Sequence, residues 1–496
     1  MSKSNTPLEQ FILMLTWIAI FFLATRLPVD PDMWWHLRAG NEMWDQGRIL
    51  LNDVFSYTRL GSPWINVFWI SDLGLYGLWK IGGFFAITIF TALMAVAVMS
   101  IVYAQMEGRC YLRTALILLA MFGALANWSA RPQLMSFALL AFLDFFLRRH
   151  FFVKRQPLWI LVLIFALWGN LHGGFIWGIL LLAATIVGEI LNIIFGNESA
   201  RLNWHEVHDL AVWSAAGGLA VMINPNGASL WRLPFYQIQV SLIAIDEWLS
   251  PDFHQFYAHP LLWLLFLLIF GVSFSKKRIS FVDLFKALGF TYMLFVAQRN
   301  MGPYAIIIAP IVARHLADAL DTLLESPVIR NWFARRNQNH ANISSKLLPA
   351  KGVFIINSLV ASLLTVFALT NAYFISSQSS IDSSVPARAV QWIKDNQPRG
   401  PMFNSYNWGG YLIWELRDYP VFIDGRADLY GDEILSEWNE IVNGTEKGLA
   451  ILDTRKINLV FLEPKYPLLE RLSEHGWEKT FSDSRITIYR RQPPMP

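Results

Sequence analysis

One cysteine, Cys110, stands in 496 residues, which excludes an internal disulfide and any metal site built on thiolates. Charge is scarce too: Asp, Glu, Lys and Arg make up 16% of the chain and the formal net charge is only +3. No Lys/Arg run resembles a nucleic-acid patch, so nucleic acid is not an expected partner. A dinucleotide fingerprint is missing, since NSYNWGGY lacks the glycine spacing after its strand. No small-residue cleavage site follows the first apolar run, Phe11 to Thr25, which therefore reads as a retained membrane helix rather than a signal peptide. Acids inside the apolar runs are few and the two halves show no repeat, which argues against a transporter.

What the chain has in excess is apolar surface. Hydrophobic residues reach 54%, with 36 Phe and 22 Trp, the composition of a polytopic membrane protein. Given the ~20 apolar residues a spanning helix needs, eleven candidates emerge, centred near residues 18, 95, 120, 140, 164, 184, 215, 267, 290, 310 and 363. With a cytoplasmic N-terminus, inner loops collect Arg109, Arg113, Arg148, Arg149, Lys154, Arg155, Arg201, Lys276, Lys277, Arg278, Arg330, Arg335, Arg336, Lys346 and Lys351. Most outer loops hold one arginine at most; the longer first one holds Arg26, Arg38, Arg48, Arg59 and Lys80. The positive-inside rule selects this orientation. It also puts the unusual polar loops, around Asp30, Arg131, His172, Asn224, Glu247 and Arg299, on the outer face.

The expected fold is a polytopic α-helical membrane domain over residues 1–376, followed by a soluble outer α/β domain over 377–496. The first outer loop, 28–83, carries two Trp-rich amphipathic segments flanking a strand or loop, DVFSYTRLGSPW. The tract SSQSSIDSS reads as a linker. Beyond it the pattern predicts a helix over VPARAVQWIKDN, strands at Pro401–Asn404, YPVFID, INLVFLEP and ITIYRRQ, and helices over DEILSEWNEIV and LLERLSEHG.

The stretch Val29 to Gly40, VDPDMWWHLRAG, holds two carboxylates at a membrane edge. Asp30 and Asp32 have two readings. Either they cap a helix and favour its positive end, or they deprotonate an acceptor hydroxyl or hold a divalent cation, with His36 one turn on. Arg131 and Arg299 either snorkel to the interface or offer a bidentate fork to a donor phosphate. His172, flanked by Gly173 and Gly174, is either a hydrogen-bonded structural histidine or a substrate contact. Asp246 and Glu247 are either an exposed turn before Ser250-Pro251 or acceptor contacts. Asp424 and Arg426, at a strand end, read as a local ion pair.

The run Asp32-Met33-Trp34-Trp35-His36-Leu37-Arg38-Ala39-Gly40 resembles the first outer loop of the GT-C glycosyltransferase superfamily, above all the oligosaccharyltransferase catalytic subunits. Protein mannosyltransferases and aminoarabinose transferases are related in kind. In the C-terminal part, Asn407-Trp408-Gly409-Gly410-Tyr411 sits where that family has Trp-Trp-Asp-Tyr-Gly-Tyr. The resemblance implies that Asp32 is the catalytic or metal-binding acid and Asp30 its helper, with Mg²⁺ or Mn²⁺ as the cation if one is used. It also makes His36, His172, Asp246, Glu247, Trp408 and Tyr411 candidate acceptor or substrate contacts. Asn407 and Gly409 replace the Trp and Asp that read the sequon in the family, which implies a different acceptor.

The function so implied is transfer of a sugar from a polyprenyl-(di)phosphate to a protein, glycan or lipid on the extracytoplasmic face, with inversion. The expected location is a bacterial inner membrane. The alternative from another class is a non-catalytic membrane scaffold that keeps the fold and binds partners through its outer domain.

Overall fold

A computed structural model describes residues 6–196, 200–233, 246–327 and 350–492. Helix α1 (Pro7–Ala24) starts in a capping box, in which Thr6 Oγ1 accepts the Glu9 N–H and the Glu9 carboxylate accepts the Thr6 N–H. Helix α2 (Pro31–Gln46) is capped by Asp30, has Pro31 in its first turn and stops at Gly47, whose φ of 63° suits glycine. Helix α3 (Trp69–Gln105) joins the second Trp-rich segment to the next span. It kinks at Gly82 and Gly83, the latter at φ 57°.

The bundle continues with α4 (Cys110–Ala124), α5 (Gln133–Phe152), α6 (Ile160–Trp168), α7 (Phe175–Ile194), α8 (Trp204–Ala220), α9 (His259–Phe274), α10 (Phe281–Val296), α11 (Met301–Glu325) and α12 (Ala350–Ile375). A helix thus stands at every predicted place. Six of the described helices are long and apolar enough to cross a membrane: those at Pro7–Ala24, Trp69–Gln105, Cys110–Asn127, Phe175–Ile194, Phe256–Phe274 and Gly352–Ile375. Helix α11 forms the centre, with every residue from Met301 to Ala313 buried. Large apolar side chains face outward around it, Trp263, Phe266, Leu363 and Phe367 among them, as hydrocarbon contact requires. The predicted inner and outer loops lie at opposite ends of the bundle: Arg148, Lys277 and Arg314 meet at Glu107, whereas Asp30, Asp32 and Glu247 meet at Arg131. Arg330, Arg335, Arg336 and Lys346 lie outside the described residues.

The C-terminal part contains α13 (Gln378–Asp382), α14 (Ala387–Asn396), α15 (Gly409–Glu415), α16 (Ala427–Val442), α17 (Glu446–Thr454) and α18 (Leu468–Leu472). They surround a sheet of β1 (Met402–Asn404), β2 (Leu459–Leu462), β3 (Trp477–Ser482) and β4 (Thr487–Arg491) in the order β1-β2-β4-β3. β1 runs parallel to β2, and the other pairs are antiparallel.

Three expectations need correction. The serine tract is an ordered helix, α13, capped by Ser377 and anchored by the buried Ile381. YPVFID is no strand of the sheet but a single parallel bridge, Val421 to Ser56, because the Asn404 side chain holds the next backbone groups, donating to Ile423 O and accepting from Phe422 N–H. β3 adds a strand to those expected: only Trp477 and Phe481 meet a core, and as an edge strand it leaves Glu478 and Lys479 exposed, so it shows no alternation.

The outer loop does not stand apart from this domain. Phe55 and Tyr57 exchange backbone hydrogen bonds with Val421, and Trp34 packs edge-on to Tyr411 at 5.0 Å. One apolar core runs from α2 through α15 to β2 and β4.

Candidate active site

Pro31 starts α2 and Asp30 caps it, so the chain turns sharply and both carboxylates project from the first turn of one helix. Asp30 Oδ1 accepts the Asp32 N–H at 3.0 Å, the capping role that its residue type suggests. Its other oxygen lies 3.2 Å from Arg131 Nε. Arg131 stands just before α5, where its Nε also donates to Ser129 Oγ at 3.1 Å. Its Nη1 donates to Asp32 Oδ2 at 2.8 Å and to Glu247 Oε2 at 3.2 Å. Three carboxylates from two distant loops therefore share one guanidinium. The remaining Asp32 oxygen, Oδ1, accepts the indole N–H of Trp35 at 3.1 Å.

That count of charges shapes the titration. Burial raises Asp32 to about 7; Arg131 opposes the shift while Asp30 and Glu247 add to it, and the Trp35 hydrogen bond opposes it weakly. Glu247 is also penalised by burial, but Arg131 and Arg299 together hold it below the usual carboxylate range. Asp32 is thus the member of the cluster poised to exchange a proton near neutrality.

The C-terminal domain closes over this group. A Cβ on Gly425 would lie 2.0 Å from Asp32 Oδ1, and one on Gly410 would lie 2.5 Å from Pro31 O. Gly425 is set by its neighbours: the Arg426 side chain is 1% exposed and sits against Asp53 at 2.8 Å and Asp424 at 2.6 Å. Tyr430 also donates to Asp424, at 2.5 Å. The Asp424–Arg426 pair is therefore local, and it also locks the first outer loop to the domain. Tyr406 lies alongside, its hydroxyl raised well above normal by burial and by the charges of Asp32 and Glu247.

Other candidates fall around this centre. Arg299 lies over the Trp248 ring at 4.4 Å, one residue on from Glu247, and burial lowers it while Glu247 opposes that shift. His36 points inward, its Nδ1 2.6 Å from Asp72 Oδ1 in a buried pair, and burial together with Arg131 pushes it well below its ordinary value. His172 Nδ1 accepts the Gly174 N–H at 2.9 Å and lies 2.7 Å from Ser136 Oγ. Burial, then Arg299 and Arg131, lower His172 to about 3, so it is neutral. Tyr411 is buried in the domain core and Trp408 is half-buried beside it. Asp246 begins a short 3-10 turn, and its side chain lies outside what the structure describes.

The oxygens of Asp30, Asp32 and Glu247 are the donors a hard divalent cation prefers. Arg131 occupies the place where they converge, and among the described residues no three His, Cys, Asp or Glu side chains are grouped to hold a metal. As placed, the cluster fits a guanidinium rather than a metal ion.

The same architecture occurs in the oligosaccharyltransferase of the archaeon Archaeoglobus fulgidus. Its apo crystal structure superimposes with a TM-score of 0.52 at 13% identity, over 91% of this chain and 69% of that one. A complex of that enzyme with an inhibitory peptide and a dolichol-phosphate gives 0.51 at 13%, over 90% and 69%. A third structure, tethered to an acceptor peptide containing the NVT sequon, gives 0.51 at 12%, over 97% and 74%. The fold is that of an oligosaccharyltransferase. No protein-family model and no curated protein matches the chain.

Residues of the site that the sequence reading passed over are Trp35 as a donor to Asp32, Ser129, Asp72, Tyr406 and Gly425. Only Trp35 had a signal, as the aromatic i+3 from Asp32 on one helix face.

Proposed function

We propose that the chain is a GT-C membrane glycosyltransferase that takes a sugar from a polyprenyl-(di)phosphate at the end of the bundle carrying Asp32. The observation that carries this reading is the convergence of Asp30, Asp32 and Glu247 on Arg131, in a chain with the oligosaccharyltransferase fold. The dolichol-phosphate bound to the Archaeoglobus fulgidus enzyme supports a lipid-linked donor.

In this reading the acceptor nucleophile attacks the anomeric carbon, the bond from that carbon to the donor phosphate oxygen breaks, and configuration inverts. Asp32 receives the acceptor's proton as the polyprenyl phosphate leaves. Asp30 and Arg131 orient Asp32, and Arg299 offsets charge on the departing phosphate. No step is routed through a metal ion. The acceptor is a protein, glycan or lipid other than a sequon asparagine. A side chain at Gly409, where the family's sequon-reading Asp would stand, would meet Ile423 O at 2.1 Å. A bacterial inner membrane, with Asp32 outside, completes the proposal.

The saturation of Arg131 by carboxylates favours one other reading, an ion cluster that only secures a scaffold. Reconstituted protein given a radiolabelled polyprenyl-phosphate sugar and membrane extract as acceptor separates the two. Transfer that Asp32→Asn abolishes supports the enzyme and the role of Asp32, transfer unchanged in the variant overturns that role, and absence of transfer leaves the scaffold.

A further inference from the structure

At the other end of the bundle lies a cavity of about 900 Å³ between the ends of α5, α7 and α10 and the middle of α11. Its lining on α5 runs from Asp144 to Phe152, which at ~1.5 Å per residue lies ~17–29 Å along the helix from the end next to Arg131. It is separate from the Asp32 site.

Its wall is cationic. Seven Lys and Arg side chains line it against four carboxylates, and those carboxylates are already engaged. Glu107 alone serves Arg148 at 2.9 Å, Lys277 at 3.0 Å and Arg314 at 3.2 Å. Glu189 accepts the backbone N–H groups of Arg201 and Leu202, and among the described residues it pairs with no cation. Asp144 holds the buried Lys286 at 2.6 Å, and Asp283 holds Arg314 at 2.6 Å. Among the described residues no carboxylate pairs with Arg201 or Arg278. The guanidinium carbons of Arg148, Arg201 and Arg314 sit 5.5, 5.0 and 5.2 Å from the Phe152 ring centre, so three forks gather round one apolar floor.

Loops at the basic end of a membrane protein are ordinarily solvated charge. This cavity differs in its layering: the buried Lys286 and the part-buried Arg314 are paired with Asp144 and Asp283, and the surplus of positive charge, Arg201 and Arg278 included, stands exposed at its mouth, facing whatever enters. Guanidinium forks match phosphate oxygens two at a time, and Phe151, Phe152, Phe195 and Phe281 suit an apolar stem. We propose that this cavity binds a phosphate group, that of an anionic amphiphile or of a soluble phosphate ester, at the membrane surface opposite the Asp32 site.

Native mass spectrometry of the full chain in detergent, titrated with phosphatidic acid, phosphatidylcholine and inorganic pyrophosphate, tests it. Phosphatidic acid retained at least tenfold better than phosphatidylcholine, with retention lowered tenfold by Arg201→Glu with Arg278→Glu, supports an amphiphile. Pyrophosphate binding with the same sensitivity to the variant supports a soluble ester. Both side chains are exposed at the rim, so the fold should survive, and the milder Arg201→Gln with Arg278→Gln repeats the measurement without reversing charge. Binding of neither probe, or binding indifferent to both variants, overturns the proposal.

Discussion

In the proposed mechanism the chemistry falls to Asp32, because it is the acid that burial and two like charges raise to about 7. In the proposed role it acts only when ionised, so the transfer rate should rise with pH through about 7. Asp32→Asn should lower kcat by ~10²–10⁴-fold, the usual contribution of a positioned base. Stability moves the other way. Asp32 titrates at 3.8 in the unfolded chain and at about 7 in the folded one, so its ionisation costs folding free energy increasingly from pH 4 to 7. Thermal unfolding should therefore show Asp32→Asn gaining on the wild type between pH 5 and pH 8. Arg131→Ala removes the cation that three carboxylates share. We expect it to raise the pKa of the pH–rate profile and to create a Mn²⁺-dependent rise in Tm that the wild type lacks, both measurable on one preparation.

Among the elements, the glycine at the domain's edge decides how closely the lid approaches the acid. Gly425→Ala places a methyl group 2.0 Å from Asp32 Oδ1, so the domain must withdraw or Asp32 must leave Arg131. Overpacking of this kind costs ~1–3 kcal/mol, and transfer activity should fall while membrane insertion is unchanged. Arg426 ties Asp53 of the outer loop to Asp424 of the domain with all three buried. Arg426→Met strands two buried acids, which should cost ~3–5 kcal/mol and appear in protease digestion as release of the C-terminal domain.

For the molecule as a whole, the helical end bearing α2 and the C-terminal domain form one structure. Trp34, Tyr411, Val421 and Ile488 belong to one core, so removal of residues 377–496 should expose that surface and yield aggregated membrane protein on gel filtration. Much of this plan was legible in the chain. Apolar runs marked the helices because length and composition alone decide them, and Asp30-Pro31-Asp32 marked the start of α2 because caps and prolines act locally. YPVFID misled because its backbone is held by a side-chain amide, Asn404, which no period reveals.

What the sequence by itself determined is whatever neighbours within a few residues decide: where the apolar helices lie, the cap and proline at the start of α2, and Asp32 as the candidate acid. The tertiary structure alone decided that Arg131, 99 residues from Asp32, is its partner and that a glycine of the last domain lies on its carboxylate. Such contacts join segments whose separation along the chain leaves no periodic trace. The electrostatics that move Asp32 toward neutrality arise only once those segments have excluded water together.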